Sequence, residues 1–583
     1  MFRVNQKRLQ INIFGLEHQF PAGMKKKLDK SWAPAFRKLI FEKIEEKRYA
    51  VLYSTIESRP NFPVNIWVGL EILKEMFDYT DQELMEQFHF NYLTVYALGQ
   101  DNIGEVTLCD RTIYYNRERL LEYEAKTGRN LLQEEFEAIT DEALAKLAIN
   151  SKLQRMDSSF VGSFIKQMSR LELIAKVLQN FYRDLPAVEQ ARWQDRLGGY
   201  IKEEAEHLAY QLKRAEVDQQ LKELGVLLFE LHQAYAEDPR IRAKKSYQHV
   251  GRILLEQFDI AAGSEQISIE VKPAKEISSN SLQNPADDTA TFRRKDGEGF
   301  KGDILNVGET CAPENKVQLL TDISVYSNTT ADDVILADRL PQLKERTGLE
   351  ELITDANYSG EKSEAACSVE KVKLIPTDIK GSQPSSEAIS LAEFHFENNV
   401  IVSCPEGHAP LAQIDKPEKN RHIVHFAKGN CTDCSRAGDC LVNCRNKFNS
   451  LLFTDRQVVV SQRRQQLGEE EYRKKCRLRP AVEGTISQFK RLMQNGKLRV
   501  RDFGKIQNSI ILMAIGINFR RLWAYSLENS LAGARLLANI ILLLMCMVQK
   551  LVIRARILAS NLVNPFIDLC LLNLSYLLFA ETP

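Results

Sequence analysis

The chain has 583 residues, too many for one hydrophobic core, so we expect three or more structural units. Its 78 Lys and Arg residues equal its 78 Asp and Glu residues, which excludes a uniformly basic surface, so a polyanionic partner would need locally concentrated positive charge. Residues 1–20 contain no long apolar stretch followed by a small-residue cleavage site, and we expect no secretion signal.

The N-terminal part of the chain predicts a series of helices. Apolar residues recur at the spacing of one helix face from Ile66 to Phe77, and Thr80 and Glu83 have the form of a capping box that starts a second helix. A third helix begins near Thr112 and carries three arginines, Arg111, Arg117 and Arg119. Short helices with a basic third member are compatible with helix-turn-helix DNA binding, but a helical bundle with ordinary surface arginines has the same pattern.

The middle of the chain changes its periodicity twice. Residues 171–258 have helical spacing, as in the series Leu221, Leu224, Leu228 and Leu231. Short β-prone segments follow at 304–307, 319–325 and 352–354, with a helical segment at 332–343. A helical insert followed by a mixed α/β sheet is the predicted arrangement.

Cysteines are concentrated in one region. Of the eleven in the chain, five lie within about forty residues, namely Cys404, Cys431, Cys434, Cys440 and Cys444. This distribution favours a local metal site in a reduced compartment over a disulfide framework. Cys404, Cys431, Cys434 and Cys440 offer four thiolates for structural zinc, with Cys444 and His408 as spare ligands. Free or redox-active thiols are the alternative.

Positive charge is concentrated near the end of the chain. Residues 472–521 contain thirteen Lys or Arg residues and two acidic ones, Glu483 and Asp502. Such a segment supplies the salt-dependent part of nucleic-acid affinity. Residues 536–548 are almost wholly apolar but shorter than the roughly 20 residues of a membrane span, so we expect buried helices or a subunit contact there, and no membrane insertion.

Three segments resemble one family. Arg479-Pro-Ala-Val-Glu483, followed by Lys490, resembles the Y-R-E-K signature of bacterial insertion-sequence transposases of the DDE class, with Cys476 standing at the expected tyrosine position. Arg155-Met-Asp157-Ser-Ser resembles the family's first-aspartate strand, and Leu352-Ile-Thr-Asp355-Ala-Asn-Tyr-Ser-Gly resembles its second. Residues 281–295 and 302–311 are similar to the cysteine-containing branch, and the first 125 residues resemble the family's InsH-like N-terminal domain.

The resemblance implies a ribonuclease-H-like catalytic core with Asp157 on its first strand, Asp355 at the end of a later strand and Glu483 on a helix. These carboxylates would hold two magnesium ions, with manganese as a substitute, because hard divalent cations prefer oxygen ligands. The enzyme would cut the terminal inverted repeats of its element and join the freed 3′ ends to target DNA. It would act in the bacterial cytoplasm, associated with the nucleoid, as a homodimer or higher oligomer.

The basic residues around Glu483 are the predicted DNA contacts. Lys490 lies seven residues after Glu483, two helical turns along the same face, and Arg479 lies four residues before it. The complete set of predicted phosphate contacts is Arg479, Lys490, Arg491 and Lys497.

The predicted fold is mixed α+β, with an α/β core interrupted by inserts. The expected units are a helical N-terminal DNA-binding domain at 1–145, the first part of the core at 150–380 with a helical insert at 165–275, a cysteine-rich insert at 381–460, the basic helices at 461–525 and an apolar helical tail at 526–583.

Other interpretations account for the same residues. Asp157 and Asp355 have the sequence surroundings of turn or cap residues, and Glu483 those of a solvated helix residue. Two alternative functions remain at this stage: a ribonuclease-H-like DNA nuclease, and a catalytically inactive transposase descendant that only binds DNA.

Overall fold

The computed structural model describes residues 1–6, 15–56, 59–202, 204–210, 214–262, 267–295, 297–379, 389–397, 400–444 and 449–529. The chain divides into two units, Met1–Phe519 and Arg520–Pro583. Only the first four residues of the expected tail at 526–583 are described, so the expectation for residues 536–548 lies outside the described residues.

The N-terminal region is helical, as predicted. Its α-helices are α1 (Ala22–Asp29), α2 (Trp32–Leu39), α3 (Val64–Phe77), α4 (Asp81–Phe90), α5 (Tyr92–Ala97), α6 (Asp110–Thr127) and α7 (Leu131–Lys146). The predicted capping box at the start of α4 is confirmed, because Thr80 and Glu83 each accept the other's backbone N–H. All residues of α3 except Phe77 are buried, so α3 is the central helix of this region.

A series of helices follows the first strand, β1 (Leu153–Gly162). Its helices are α8 (Arg170–Asp184), α9 (Ala187–Ile201), α10 (Ala205–Tyr210), α11 (Arg214–Ala234), α12 (Pro239–Arg242) and α13 (Lys245–Gln257). They end where the periodicity predicts. The prediction did not include the hairpin that follows these helices, β2 (Phe258–Ala262) and β3 (Ile267–Val271).

The central sheet is mixed. Its remaining strands are β4 (Thr291–Lys295), β5 (Glu298–Thr310), β6 (Leu320–Ser327), β7 (Glu351–Thr354) and β8 (Lys373–Pro376), with α14 (Asp332–Thr347) and α15 (Glu361–Glu370) between them. The order β6-β5-β1-β7-β8 combines antiparallel pairing of the first three strands with parallel pairing of the last three. The predicted β-prone segments at 304–307 and 352–354 lie in strands, the one at 319–325 begins one residue before β6, and the predicted helical segment lies in α14.

The long strand β5 extends beyond the body of the sheet. Residues 303–309 pair with β6, whereas residues 298–302 pair with β4 and form a hairpin. Residues 302–310 pair with β1 along the opposite edge of β5. The hairpin is therefore a continuation of the central sheet.

The cysteine-rich region contains more regular structure than its sequence predicts. It includes β9 (His395–Glu397), β10 (Val400–Ser403), β11 (Ala412–Lys416), β12 (Arg421–Phe426), α16 (Lys428–Thr432) and β13 (Asn449–Phe453). The strands form a two-stranded and a three-stranded sheet around a small apolar core that includes Val424, Phe426 and Phe453. The strands are short and mostly polar on their outer face, which hides their periodicity.

The last described part of the chain is helical, as predicted. It comprises α17 (Asp455–Leu467), α18 (Glu470–Cys476), α19 (Ala481–Arg491) and α20 (Phe503–Asn529). Within the described residues, α20 is the one helix long and apolar enough to cross a membrane, but 61% of its most apolar window is buried inside the protein. Burial of this kind is typical of a core helix.

Candidate active site

Asp157 lies in the middle of β1, and the two faces of this strand have different partners. Met156 packs in the apolar cluster that includes Leu336 and Leu340 of α14. The neighbouring residues Arg155 and Asp157 point to the opposite face because side chains alternate along a strand. Asp157 is only 6% exposed, and one of its oxygens accepts the Ser158 N–H at 2.9 Å.

Asp355 lies beside Asp157 at the end of the neighbouring strand. The parallel pairing of β1 with β7 ends at Arg155 and Ile353, and each aspartate follows two residues later. Asp355 caps the short turn Ala356–Tyr358, accepting the N–H of Asn357 at 2.8 Å. The alternative interpretation of Asp355 as a turn or cap residue is therefore confirmed.

The ionisation of Asp157 depends on its burial and on the charged groups beside it. Burial raises the pKa of Asp157 above its ordinary value, Arg479 opposes the increase, and the negative charge of Asp355 adds to it. A divalent cation would relieve the repulsion, and carboxylate oxygens are the ligands that such ions prefer.

Glu483 lies in the first turn of α19, which a buried ionic network holds against the sheet. Glu309 of β5 is fully buried; it accepts from Arg155 at 2.8 Å and from the Thr485 hydroxyl at 2.8 Å. Arg155 also donates to the carbonyl of Leu478 at 2.6 Å. The network fixes α19 beside β1, while the Glu483 side chain remains 63% exposed.

Arg479 joins the first and third predicted carboxylates. Its Nη2 donates to Oδ2 of Asp157 at 2.9 Å, and its Nη1 donates to Oε1 of Glu483 at 3.2 Å. Pro480 has helical dihedral angles and caps α19, so Arg479 lies one turn before Glu483 on the same side. In this structure, the residue expected to contact phosphate neutralises two carboxylates instead.

The predicted carboxylates do not form a closed metal-binding trio in this structure. Among the described residues, ligand oxygens all within 4.8 Å of one another occur in a different group, Asp287, Asp288 and Asp502. That group already has partners: Asp287 accepts from Ser163 and Thr289, and Lys245 and Lys505 pair with the other two carboxylates. It therefore resembles a structural junction more than an open cation site.

A groove of about 820 Å³ runs from the aspartates along β1. Its lining includes Asp157, Asp355 and Arg479, and also two of the predicted DNA contacts, Lys490 and Lys497. Arg491 is exposed but is not part of this lining. Lys490 is exposed, whereas Lys497 is partly buried and donates to the carbonyl of Ile165 at 3.0 Å.

Sequence reasoning missed several residues of this groove. The hairpin contributes a basic wall, made of Arg293, Arg294, Lys295 and Lys301. Asp303, also in the lining, is 1% exposed, and both its oxygens lack a hydrogen-bond partner. Burial, together with the charge of Asp287, raises the pKa of Asp303 to about 7. The run of basic residues at 293–295 was the available signal for the wall; no local pattern predicts the burial of Asp303.

Cys476 does not face the groove. It packs beside the apolar cluster formed by Cys311, Ile353, Ile375 and Tyr472. The neighbouring Tyr472 is buried, and its hydroxyl donates to the carbonyl of Pro376 at 3.2 Å. The thiol at the expected tyrosine position is therefore an apolar contact between α18 and the sheet.

All five clustered cysteines line one small pocket of about 30 Å³, together with His408. Burial raises the pKa of Cys431 and Cys440, and the neighbouring thiols raise both further. Cys404 begins a tight turn in which its N–H donates to the carbonyl of His408 at 2.9 Å. The fold thus gathers the four predicted zinc ligands, although no three of their sulfur atoms lie within 4.8 Å of one another among the described residues.

The arginines of α6 have partners within the N-terminal region. Arg117 donates to both oxygens of Asp81 and to Glu71 and is a structural ion-pair residue. Arg111 and Arg119 lie over the rings of Tyr115 and Tyr53, respectively, at 5.3 Å from the ring centroids. Of the three predicted basic residues, Arg117 is therefore engaged inside the protein.

Comparison with known proteins gives one match. Residues 403–523 match the family model "Transposase DDE domain". This segment is about a fifth of the chain and contains the clustered cysteines, Arg479, Glu483 and Lys490, whereas Asp157 and Asp355 lie outside it. Searches of curated proteins and of solved structures give no match.

The match supports a DDE transposase, an enzyme that acts on DNA and whose family generally uses a divalent metal ion. The mixed sheet and the helical N-terminal region fit this interpretation.

Proposed function

We propose that this protein is a DDE transposase that cuts the terminal inverted repeats of an insertion sequence and joins the freed 3′ ends to target DNA. The observation that carries the proposal is the side-by-side placement of Asp157 and Asp355, with Glu483 linked to Asp157 through Arg479, at one end of a basic groove. A sheet with three antiparallel strands followed by two parallel ones supports a ribonuclease-H-like core.

Asp157, Asp355 and Glu483 would hold two magnesium ions, or manganese, which when bound activate the attacking oxygen and stabilise the leaving oxygen. Asp157 and Asp355 are fixed by the sheet and by the Asn357 turn, so they provide a preorganised half of the site. Glu483 is exposed on a firmly anchored helix and completes the set once its contact with Arg479 is released.

The basic residues provide binding energy for the DNA backbone. Lys490 and Lys497 line the groove on the α19 side, and Arg491 lies exposed beside Lys490. Arg479, when it leaves the carboxylates, carries a free guanidinium beside the site, where it can donate two parallel hydrogen bonds to a phosphate. The N-terminal helices would bind the element's ends as a separate DNA-binding domain.

The cysteine pocket supports structural zinc at Cys404, Cys431, Cys434 and Cys440. Four thiolates leave no open coordination position, so the zinc would stabilise the insert and take no part in the reaction. Transposition would also require at least two copies of the chain, one for each element end, in the bacterial cytoplasm.

A strand-transfer assay tests this function. The purified full-length protein is incubated with Mg²⁺, target DNA and a duplex that ends in the inverted repeat flanking its gene. We expect cleavage and joined products, both lost in Asp157→Asn, Asp355→Asn and Glu483→Gln. Asp195→Asn, on the exposed surface of the helical insert, is the matched control and should retain activity. Equal activity in all four variants would contradict the assignment.

The same assay separates the alternatives. A nuclease would cut without joining and would not require inverted repeats in the DNA that flanks its gene. An inactive descendant would bind the duplex without any metal-dependent cleavage.

A further inference from the structure

The hairpin formed by β4 and residues 298–302 of β5 is held firmly against β1. At its base, Gly302 pairs with both Thr291 and Gly162. Gly302 has φ of +143°, and a Cβ there would lie 2.3 Å from the carbonyl oxygen of Val161. Only glycine allows so close an approach, so the hairpin projects from the sheet in a defined direction.

The basic side chains of this hairpin form no ion pairs with the described residues. Arg293, Arg294 and Lys301 donate to backbone carbonyls, those of Asn328, Gly297 and Met168 respectively. Among the described residues, no carboxylate oxygen lies within 4.0 Å of the charged nitrogens of these three residues or of Lys295. Register places Arg293 and Lys295 on one face of the hairpin and Arg294 and Lys301 on the other. Like charges without ion-pair partners on the same face repel each other, which is costly unless a polyanion covers them.

A stacked aromatic pair positions two of these basic side chains. Phe160 of β1 stacks on Phe300 of the hairpin, with ring centroids 4.4 Å apart and planes inclined by 10°. The guanidinium carbon of Arg293 lies 5.7 Å from the Phe160 centroid, and the ammonium of Lys295 lies 6.0 Å from it. Cations at this distance from a ring face are attracted by its quadrupole, so Phe160 holds both head groups at the groove.

The groove follows an edge of β1 that has no strand partner. β7 pairs with β1 only as far as Arg155, so residues 157–161 have a free edge on that side within the described part of the chain. The far end is closed by backbone contacts of Gly162 with Gly496 and Leu498. Register places Phe160, Arg293 and Lys295 on one face of the sheet, whereas Asp157 and α19 lie on the other.

We propose that the hairpin and the segment containing Lys490 and Lys497 form a two-sided phosphate clamp on the DNA strand that leaves the carboxylates, and that Phe160 is its positioning residue. The inference rests on the proposed function, because it takes the polyanion to be the DNA substrate. Residues 157–162 span about 16 Å at roughly 3.3 Å per residue. A segment of this length accommodates a few consecutive phosphates of one strand.

A binding experiment tests the clamp without requiring catalysis. The affinity of the full-length protein for a fluorescein-labelled DNA duplex is measured by anisotropy over a NaCl series in magnesium-free buffer without a chelator. We expect Arg293→Ala/Lys295→Ala to weaken binding and to reduce the salt slope by about 2, because each phosphate that is no longer neutralised lowers the slope by about one unit. The control Arg192→Ala/Arg240→Ala removes two exposed cations of the helical insert and should leave the slope unchanged.

Phe160 variants test the positioning role. We expect Phe160→Leu to weaken DNA binding about two- to fivefold. Phe160→Tyr keeps an aromatic ring and should bind DNA as the wild-type protein does. In the Arg293→Ala/Lys295→Ala background, Phe160→Leu should have no further effect on binding. An additive effect of Phe160→Leu would overturn its positioning role, and a wild-type slope in Arg293→Ala/Lys295→Ala would overturn the clamp. Absence of DNA binding by the wild-type protein would instead reject the proposed function itself.

Discussion

Arg479 donates to Asp157 across 2.9 Å, and this contact joins the segment before α19 to the centre of β1. The two residues are 322 positions apart in the chain. Both are largely buried, so neither charge is well solvated without the other. The contact therefore compensates the buried carboxylate charge of Asp157.

Removing Arg479 should destabilise the fold. Arg479→Ala leaves Asp157 buried without its cation, and we expect the free energy of unfolding to fall by about 2–3 kcal/mol. Urea denaturation measures the change. Arg477→Ala, two residues earlier, removes an arginine whose ion pair with Glu470 is exposed, and should leave stability unchanged. Equal stability of the two variants would show that the buried contact contributes little.

Divalent metal should stabilise the protein through Asp157 and Asp355. Because a ligand that binds only the folded state raises its stability, Mg²⁺ should raise the melting temperature of the wild-type protein. Asp157→Asn and Asp355→Asn should abolish the increase, as measured by thermal shift.

Asp502→Asn distinguishes the two carboxylate groups of the chain. It alters the group formed with Asp287 and Asp288 but not the β1–β7 pair, so we expect it to retain the magnesium effect. Loss of the effect in Asp502→Asn alone would place the cation at the other group.

Asp303 should make stability depend on pH. Its pKa is about 7 in the folded protein against an ordinary value of 3.8, so the protonated carboxyl favours the folded state. This contribution is fully present below pH 3.8 and is lost as the pH rises through 7. We therefore expect the wild-type protein to lose stability between about pH 4 and pH 7 relative to Asp303→Asn, whose amide is neutral throughout. Parallel stability curves of the two proteins would contradict the assignment.

The buried network beneath α19 should be among the most sensitive features of the core. Glu309→Gln leaves the charge of Arg155 buried without a carboxylate, and we expect a loss of about 3–5 kcal/mol in the free energy of unfolding. Glu350→Gln removes an exposed partner of Lys152 and serves as the control, with no loss expected. Chemical denaturation with circular dichroism compares the two, and similar curves would exclude a role for the network in stability.

Zinc content tests the cysteine pocket. Metal analysis of the purified protein should find one zinc ion per chain, lost in Cys431→Ala/Cys434→Ala and kept in Cys109→Ala, which removes an exposed thiol outside the pocket. Zinc in equal amounts in both variants would exclude the pocket as the site.

Local patterns in the chain predict most of the secondary structure, because helix periodicity, capping boxes and β-branched runs act between residues a few positions apart. The helices after Pro63 and Thr80, the strands around Ile304 and Ile353, and the spacing of Arg479, Glu483 and Lys490 all follow from such patterns. Strands in polar segments are harder to predict from sequence. The strands of the cysteine-rich region and the hairpin at 291–302 carry so many charged residues that no alternation of apolar and polar residues can be recognised.

Tertiary packing decided which of the predicted residues meet. It placed Asp355 beside Asp157, moved Cys476 into an apolar cluster, engaged Arg117 in an internal ion pair and turned Arg479 towards two carboxylates. These contacts join residues tens to hundreds of positions apart, and their energies depend on burial, which no local pattern specifies. The chain thus encodes its chemical groups in short motifs, whereas only the folded sheet determines which charges share a surface and which remain free for a polyanion.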